Sequence, residues 1–157
     1  MAKSLNMNKN QSCRFKIREM TLQDYKNVIS VWKKAGIHLS YSDTKPEFKR
    51  MLEHNPGLCL VLEDAEKRQI IGAVLGGFDG RRGWIHHLAI DPNYQRQGFG
   101  KMLMDELTRR FKDKKIVKIK LEIVRDNAEV IEFYKKLGWE LREEIITMSL
   151  TLFKKEN

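Results

Sequence analysis

The chain has 157 residues, 32% of them charged and 41% hydrophobic, and a net charge of +9. That length suits one domain with a sizeable core, and its longest apolar runs are too short to cross a bilayer. "MAKSLNMNKNQS" at the start lacks the apolar stretch of a secretory signal, and two cysteines without a C-x-x-C disfavour a disulfide framework or a cysteine metal site.

Residues 1–13 read as a flexible polar tail and 14–157 as a single domain. "RFKIREM" (14–20) alternates and predicts a short strand. "TLQDYKNVISVWKKAG" predicts a helix: Thr21 and Asp24 fit a capping box, Leu22, Tyr25, Val28, Ile29 and Trp32 form a stripe, and Gly36 ends it. A second helix is expected from Thr44 or Lys45 to about His54, with Pro46 in its first turn and Pro56-Gly57 closing it.

"LCLVLED" predicts a strand, "AEKRQ" a turn, and "IIGAVLGGF" a strand covered on both faces. "GGFDGRRG" (76–83) reads as a hairpin turn, followed by the strand "WIHHLAI" (84–90). Residues 98–112 predict a helix with Phe99, Leu103, Leu107 and Phe111 on one stripe. A strand over 116–124 follows, with Val117, Ile119, Leu121 and Ile123 on one face. "NAEVIEFYKKLG" predicts a helix stopped by Gly138, and "WELREEIITMSLTL" one or two last strands. The strand–helix–strand run at 84–124 implies a parallel crossover. The expected fold is therefore α/β, an α+β mixed sheet in the order β-α-α-β-β-β-α-β-α-β-β, with helices on both faces.

The basic balance suits either nucleic acid or an anionic small molecule. Only "RRFKDKKIVKIK" (109–120) is dense in cations, and Phe111 is its one aromatic residue, so specific nucleic-acid binding is not expected.

The chemistry concentrates at "AIDPNYQRQGFGKMLMDEL". Gly98 and Gly100 stand at the threshold of a helix, where glycine weakens it. Either the turn needs unusual dihedrals or something approaches the backbone closely. A helix N-terminus presents unpaired N–H groups suited to a phosphate, and Arg96 and Lys101 add positive charge. The pattern is neither a Walker A loop nor G-x-G-x-x-G, so it reads as an anion site or simply a tight turn.

Gln95-Arg96-Gln97-Gly98-Phe99-Gly100 resembles the Q/R-x-x-G-x-G/A signature of the GNAT (GCN5-related) N-acetyltransferase superfamily. "NAEVIEFYKKLGWE" (127–140) resembles that family's second block, with Ala at 128 rather than further on. The likeness covers roughly 14–152. It implies a sheet splayed between the strands at 84–90 and 116–124, and acetyl-CoA as cosubstrate with no metal. By that resemblance the turn from Gln95 through Arg96, Gln97, Gly98, Phe99, Gly100 and Lys101 cradles the pyrophosphate. Leu88, Ala89 and Ile90 bind the pantetheine arm along a free strand edge, and a backbone N–H near Leu88 receives the oxyanion. Asn127 matches a residue touching the cofactor arm, or serves as a helix N-cap. Tyr134 matches the general acid toward the departing sulfur, although alone it reads as an aromatic packed beside Val130, Phe133 and Leu137.

"LEIVRDN" is similar to the segment carrying the catalytic glutamate of bacterial ribosomal-protein alanine N-acetyltransferases. Glu122 then stands as general base, against a reading as a charge on a solvated strand face. His86 and His87 are adjacent on a strand and point to opposite faces, so they cannot chelate one ion together; lining of core or pocket is expected. The resemblance implies an acetyl-CoA-dependent N-acetyltransferase acting on a primary amine, such as a protein N-terminus or a small amine. The +9 charge disfavours polycationic acceptors. A non-catalytic acyl-CoA-binding module of the same fold, or less readily a basic nucleic-acid-binding domain, is the alternative. A cytoplasmic monomer or homodimer without membrane attachment is expected.

Overall fold

The computed structural model describes residues 13–153, so the expected N-terminal tail lies outside the described residues except for Cys13, which is exposed. Two compact units divide the chain between Leu121 and Glu122.

The first unit is built on a five-stranded sheet in the order β1-β2-β3-β4-β5. Its strands are β1 (Phe15–Glu19), β2 (Cys59–Asp64), β3 (Gln69–Phe78), β4 (Gly83–Ile90) and β5 (Ile119–Leu121). The first four run antiparallel to their neighbours, and β4 and β5 pair parallel. Parallel pairing requires a crossover, supplied here by α3 (Phe99–Asp113). As its unbroken apolar run predicts, β3 is buried from Ile70 to Gly77. A Cβ at Gly72 or Gly76 would collide with Leu103 or Leu107 of α3, so that helix lies tight against one face of the sheet.

The opposite face is covered by α1 (Tyr25–Lys34) and α2 (Lys45–His54). Val28, Val31 and Trp32 of α1 and Phe48 of α2 close a core over Cys59, Val61, Ala73, Leu75 and Ala89. Asp24 Oδ2 accepts from the Thr21 backbone N–H at 2.8 Å, as the capping pattern predicts, although a 3-10 turn (Leu22–Asp24) precedes the helix proper. Gly36 ends the helix region with φ 81°, the left-handed conformation that glycine adopts without steric cost.

At β1, Arg14 donates twice to the buried carboxylate of Asp64, at 3.1 and 2.8 Å, and the Tyr94 hydroxyl donates to the same group. The guanidinium holds the Asp64 carboxyl below the usual carboxylate range.

The second unit, from Glu122, contains α4 (Ala128–Lys136). Two sequence expectations are corrected. The strand predicted over 116–124 forms only at Ile119–Leu121, and Val117, assigned to its buried face, is 92% exposed. Past Leu121 no strand forms among the described residues, so the last strands expected within 139–152 are not present. Alternation there is real, but Ile146, Met148 and Leu150 face solvent, and a strand exists only when a neighbour takes up its backbone groups.

Candidate functional site

β4 carries the first part of the site. Its parallel ladder with β5 consists of Gly83↔Ile119, Trp84↔Lys120 and Ile85↔Leu121, and stops there. Its antiparallel ladder with β3 continues to Ile90↔Gly72. Residues 86–90 therefore extend beyond the paired length of β5. Leu88, Ala89 and Ile90 lie in that stretch; Ala89 and Ile90 are buried and Leu88 half-buried.

Within the same stretch the β3–β4 register slips between Ala73↔Ala89 and Leu75↔His86, leaving an extra residue on β4. His87 takes up the irregularity with φ 49°, a left-handed conformation uncommon for a residue other than glycine. The bulge changes which side chains share a face. Gly83 abuts Phe111 of α3, whereas His87 and Ala89 both join the α1 side. Strict alternation would have put Gly83, His87 and Ala89 together.

His87 packs edge-on against Trp32, with ring centroids 4.8 Å apart, and its Nε2 lies 2.7 Å from Asp43 Oδ1. Asp43 ends a 3-10 turn (Tyr41–Asp43), where its Oδ2 accepts from the Ser40 backbone N–H at 2.7 Å and the Ser40 hydroxyl at 3.1 Å. Asp43 was missed by sequence reasoning. Its signal is Ser40-x-x-Asp43, a capping-box spacing with Asp in the place of the more usual Glu.

After β4 the chain turns through Asp91, which is fully buried and caps the Pro92–Tyr94 turn by accepting from the Asn93 N–H at 3.0 Å. Burial alone would raise its pKa, but the Asn93 N–H and the Lys34 ammonium more than offset that and hold the carboxyl below its usual range. Gln95 reaches back from the turn, its Nε2 donating to the Ile90 carbonyl at 2.9 Å.

The two glycines now separate. Gly98 is the N-cap of α3 with φ 82°, so its dihedral alone calls for glycine. Gly100 lies inside the helix, and its φ is not positive. Turn geometry explains the first and not the second. Gly98 itself offers α3 no capping side chain, and the first internal bond runs from Met102 N–H to the Gly98 carbonyl at 3.0 Å. The N–H groups of the first turn thus receive no cap from the N-cap residue, an arrangement that suits a phosphate group. Arg96, with φ 60°, and Lys101 bring cationic charge to this turn, while Gln97 is exposed. The Lys101 ammonium pairs with Asp105 one turn along. The Phe99 side chain is core, 4.6 Å from the Phe15 ring, so only its backbone can serve an anion.

In the second unit, the Asn127 side chain accepts from the Val130 N–H at 3.3 Å, which makes it the N-cap of α4. Tyr134 is buried on α4 between Phe133 and Trp139, at ring centroid distances of 5.0 and 5.4 Å. Burial pushes its phenol up to about 12, so it holds its proton across the neutral range. Glu122 is exposed, and its Oε1 accepts from the Thr147 hydroxyl at 3.1 Å.

Comparison with known proteins bears on the whole arrangement. Residues 18–139 match the model of the Acetyltransferase (GNAT) family. The chain is 30% identical over 136 residues to an acetyltransferase of Sodalis glossinidius (strain morsitans), a match covering 87% of this chain and 94% of that protein. Its structure is similar to that of Ard1 from Thermoplasma volcanium, with TM-score 0.74 and 25% identity over 82% of this chain and 84% of the other. It also shares the fold of a PaiA N-acetyltransferase from Thermoplasma acidophilum in complex with coenzyme A, with TM-score 0.73 and 20% identity over 82% and 91% of the two chains.

Proposed function

The chain belongs to the GNAT acetyltransferase family, and from that premise we propose that it moves an acetyl group from acetyl-CoA to a primary amine by direct attack in a ternary complex. The observation that carries the cosubstrate is Gly100, a glycine without a dihedral reason in an uncapped helix turn flanked by Arg96 and Lys101. The coenzyme A complex of the PaiA enzyme adds support through shared fold. Both units act as one acetyltransferase domain, since the family match spans them.

The first-turn amides of α3 receive the pyrophosphate, and the 88–90 edge of β4 receives the pantetheine arm as an added strand. Asn127, beyond capping α4, contacts that arm. A backbone N–H near Leu88 stabilises the developing oxyanion.

Proton balance sets the remaining roles. An alkyl ammonium with a pKa near ~10 must lose one proton before it can attack and a second as the C–N bond forms. The departing thiolate takes up one proton, and the net release is one. Glu122 takes the first proton, directly or through one water. Tyr134 supplies the thiolate, a role that suits a phenol still protonated at neutral pH.

The acceptor is a peptide N-terminus or a small amine, and the protein works in the cytoplasm as a monomer or homodimer. Its free cysteines, Cys13 and Cys59, suit a reducing compartment, and among the described residues no helix is long and apolar enough to cross a membrane. The test is release of free CoA from acetyl-CoA with a panel of alanine- and serine-starting peptides, amino acids and ethanolamine. Transfer to one class above the acceptor-free rate is expected. Tight acetyl-CoA binding without transfer to any of them would favour a non-catalytic acyl-CoA-binding module.

A further inference from the structure

The nitrogen sheds its second proton as the C–N bond forms, before the departing sulfur draws on Tyr134, so at that moment the proton needs an acceptor of its own. His87 sits at the β4 bulge, one residue before Leu88, where the oxyanion donor is expected. Its Nε2 faces the Asp43 carboxylate at 2.7 Å. An Nε2–H donated to that carboxylate leaves Nδ1 with its lone pair as the base. The Asp43 side chain is 7% exposed and is tied at its other oxygen to Ser40, so it cannot swing away, while the His87 side chain is 27% exposed and reachable. Trp32 Nε1, buried in the same cluster, has no hydrogen-bond partner among the described residues. A non-glycine residue held at φ 49° beside an acid fixed by two further bonds is the kind of strained, over-determined placement found at working sites.

We propose that His87, locked by Asp43, is a catalytic base of the acetyl transfer proposed above, on which this inference rests. The nitrogen lone pair forms the C–N bond as the carbonyl electrons move to oxygen. The N–H proton passes to His87 Nδ1, and Asp43 stabilises the resulting imidazolium. The oxyanion then collapses, the C–S bond breaks with its electron pair on sulfur, Tyr134 gives its proton to that sulfur, and the proton held by His87 passes through water to restore Tyr134, so that the proton taken by Glu122 is the one released. Asp43 is a positioning residue that fixes the tautomer. Asp43 is also the titratable group that hydrogen-bonds the His87 ring. Lys34, on the helix packed against this face, is committed to Asp91, and His86 precedes it on the strand.

His87→Gly suits the left-handed backbone and opens room for added imidazole, whereas His87→Asn tolerates the same backbone without supplying a base. With the peptide and amine panel, both variants should lose ~10²-fold or more in turnover. Acetyl-CoA affinity by calorimetry should be unchanged, and imidazole should restore H87G but not H87N. From about pH 8 to 9.5, where an ordinary imidazole carries no extra proton, the H87N deficit should stay flat, because freeing the amine before attack does not replace a later proton acceptor. In wild type, long-range 15N–1H correlation should show the neutral ring protonated at Nε2, and Asp43→Asn should mix the tautomers. Wild-type turnover in H87N, absence of imidazole rescue, or a ring protonated at Nδ1 would overturn the assignment while leaving acetyl transfer standing. Failure of the wild type to bind acetyl-CoA would overturn both.

Discussion

Replacing each glycine of the turn by alanine separates the two reasons for having them. Gly98 has φ 82°, and forcing an L-residue into that region costs roughly 1–2 kcal/mol. Gly100 already has an ordinary helical setting, and alanine is favoured over glycine there by up to ~1 kcal/mol. Gly98→Ala should therefore lower the melting temperature and Gly100→Ala should leave it level or raise it, by roughly 3 °C per kcal/mol for a chain of this size. Binding should move the other way for Gly100. A methyl between the first-turn amides and a pyrophosphate lengthens charge-assisted hydrogen bonds, each worth ~1.5–3 kcal/mol, so a loss of one corresponds to ~10-fold or more in affinity. Circular dichroism melts without ligand and titration calorimetry with acetyl-CoA read the two quantities independently. A G100A protein at least as stable as wild type that binds acetyl-CoA equally well would refute the close-approach argument.

Three further outcomes are expected. Tyr134→Phe keeps the packing against Phe133 and Trp139 and removes the hydroxyl, so turnover should fall ~10²-fold or more with acetyl-CoA affinity unchanged; equal turnover would leave Tyr134 a packing residue. Glu122→Gln should be slowest relative to wild type near neutral pH and recover as the amine loses its proton unaided, so a constant ratio from about pH 6.5 to 9.5 would reject Glu122 as the first base. Glu106 is held down to about 2 by Arg109 first and also by Arg110. A carboxylate depressed in the folded state stabilises above its ordinary value of 4.5 and loses that contribution as pH falls toward 2. Glu106→Gln should thus cost at most ~1 kcal/mol at pH 7, given partial exposure, and the gap between the two melting curves should close between pH 5 and 2; a pH-independent gap would contradict the ion-pair origin.

The sequence by itself determined whatever depends on near neighbours along the chain. Apolar spacing of three and four residues identified α1 and α3, Pro46 and Pro56-Gly57 bracketed α2, Gly36 and Gly138 marked helix ends, and the unbroken apolar run at 70–78 identified a strand covered on both sides. The strand–helix–strand run at 84–124 sufficed for a parallel crossover, because no shorter connection can join parallel neighbours. Tertiary structure decided the rest. The patterns over 116–124 and 139–152 described a propensity, but among these residues ladder partners exist only for Ile119–Leu121, so the rest do not form strands. Periodicity predicts faces only while the register is unbroken, and the bulge at His87 reversed the phase of β4, bringing that histidine to the α1 side. Asp43 meets His87 across 44 positions of sequence, a pairing that no local window encodes. Two glycines that look alike in the motif were told apart only by their backbone angles, since Gly98 is required by the turn and Gly100 is not.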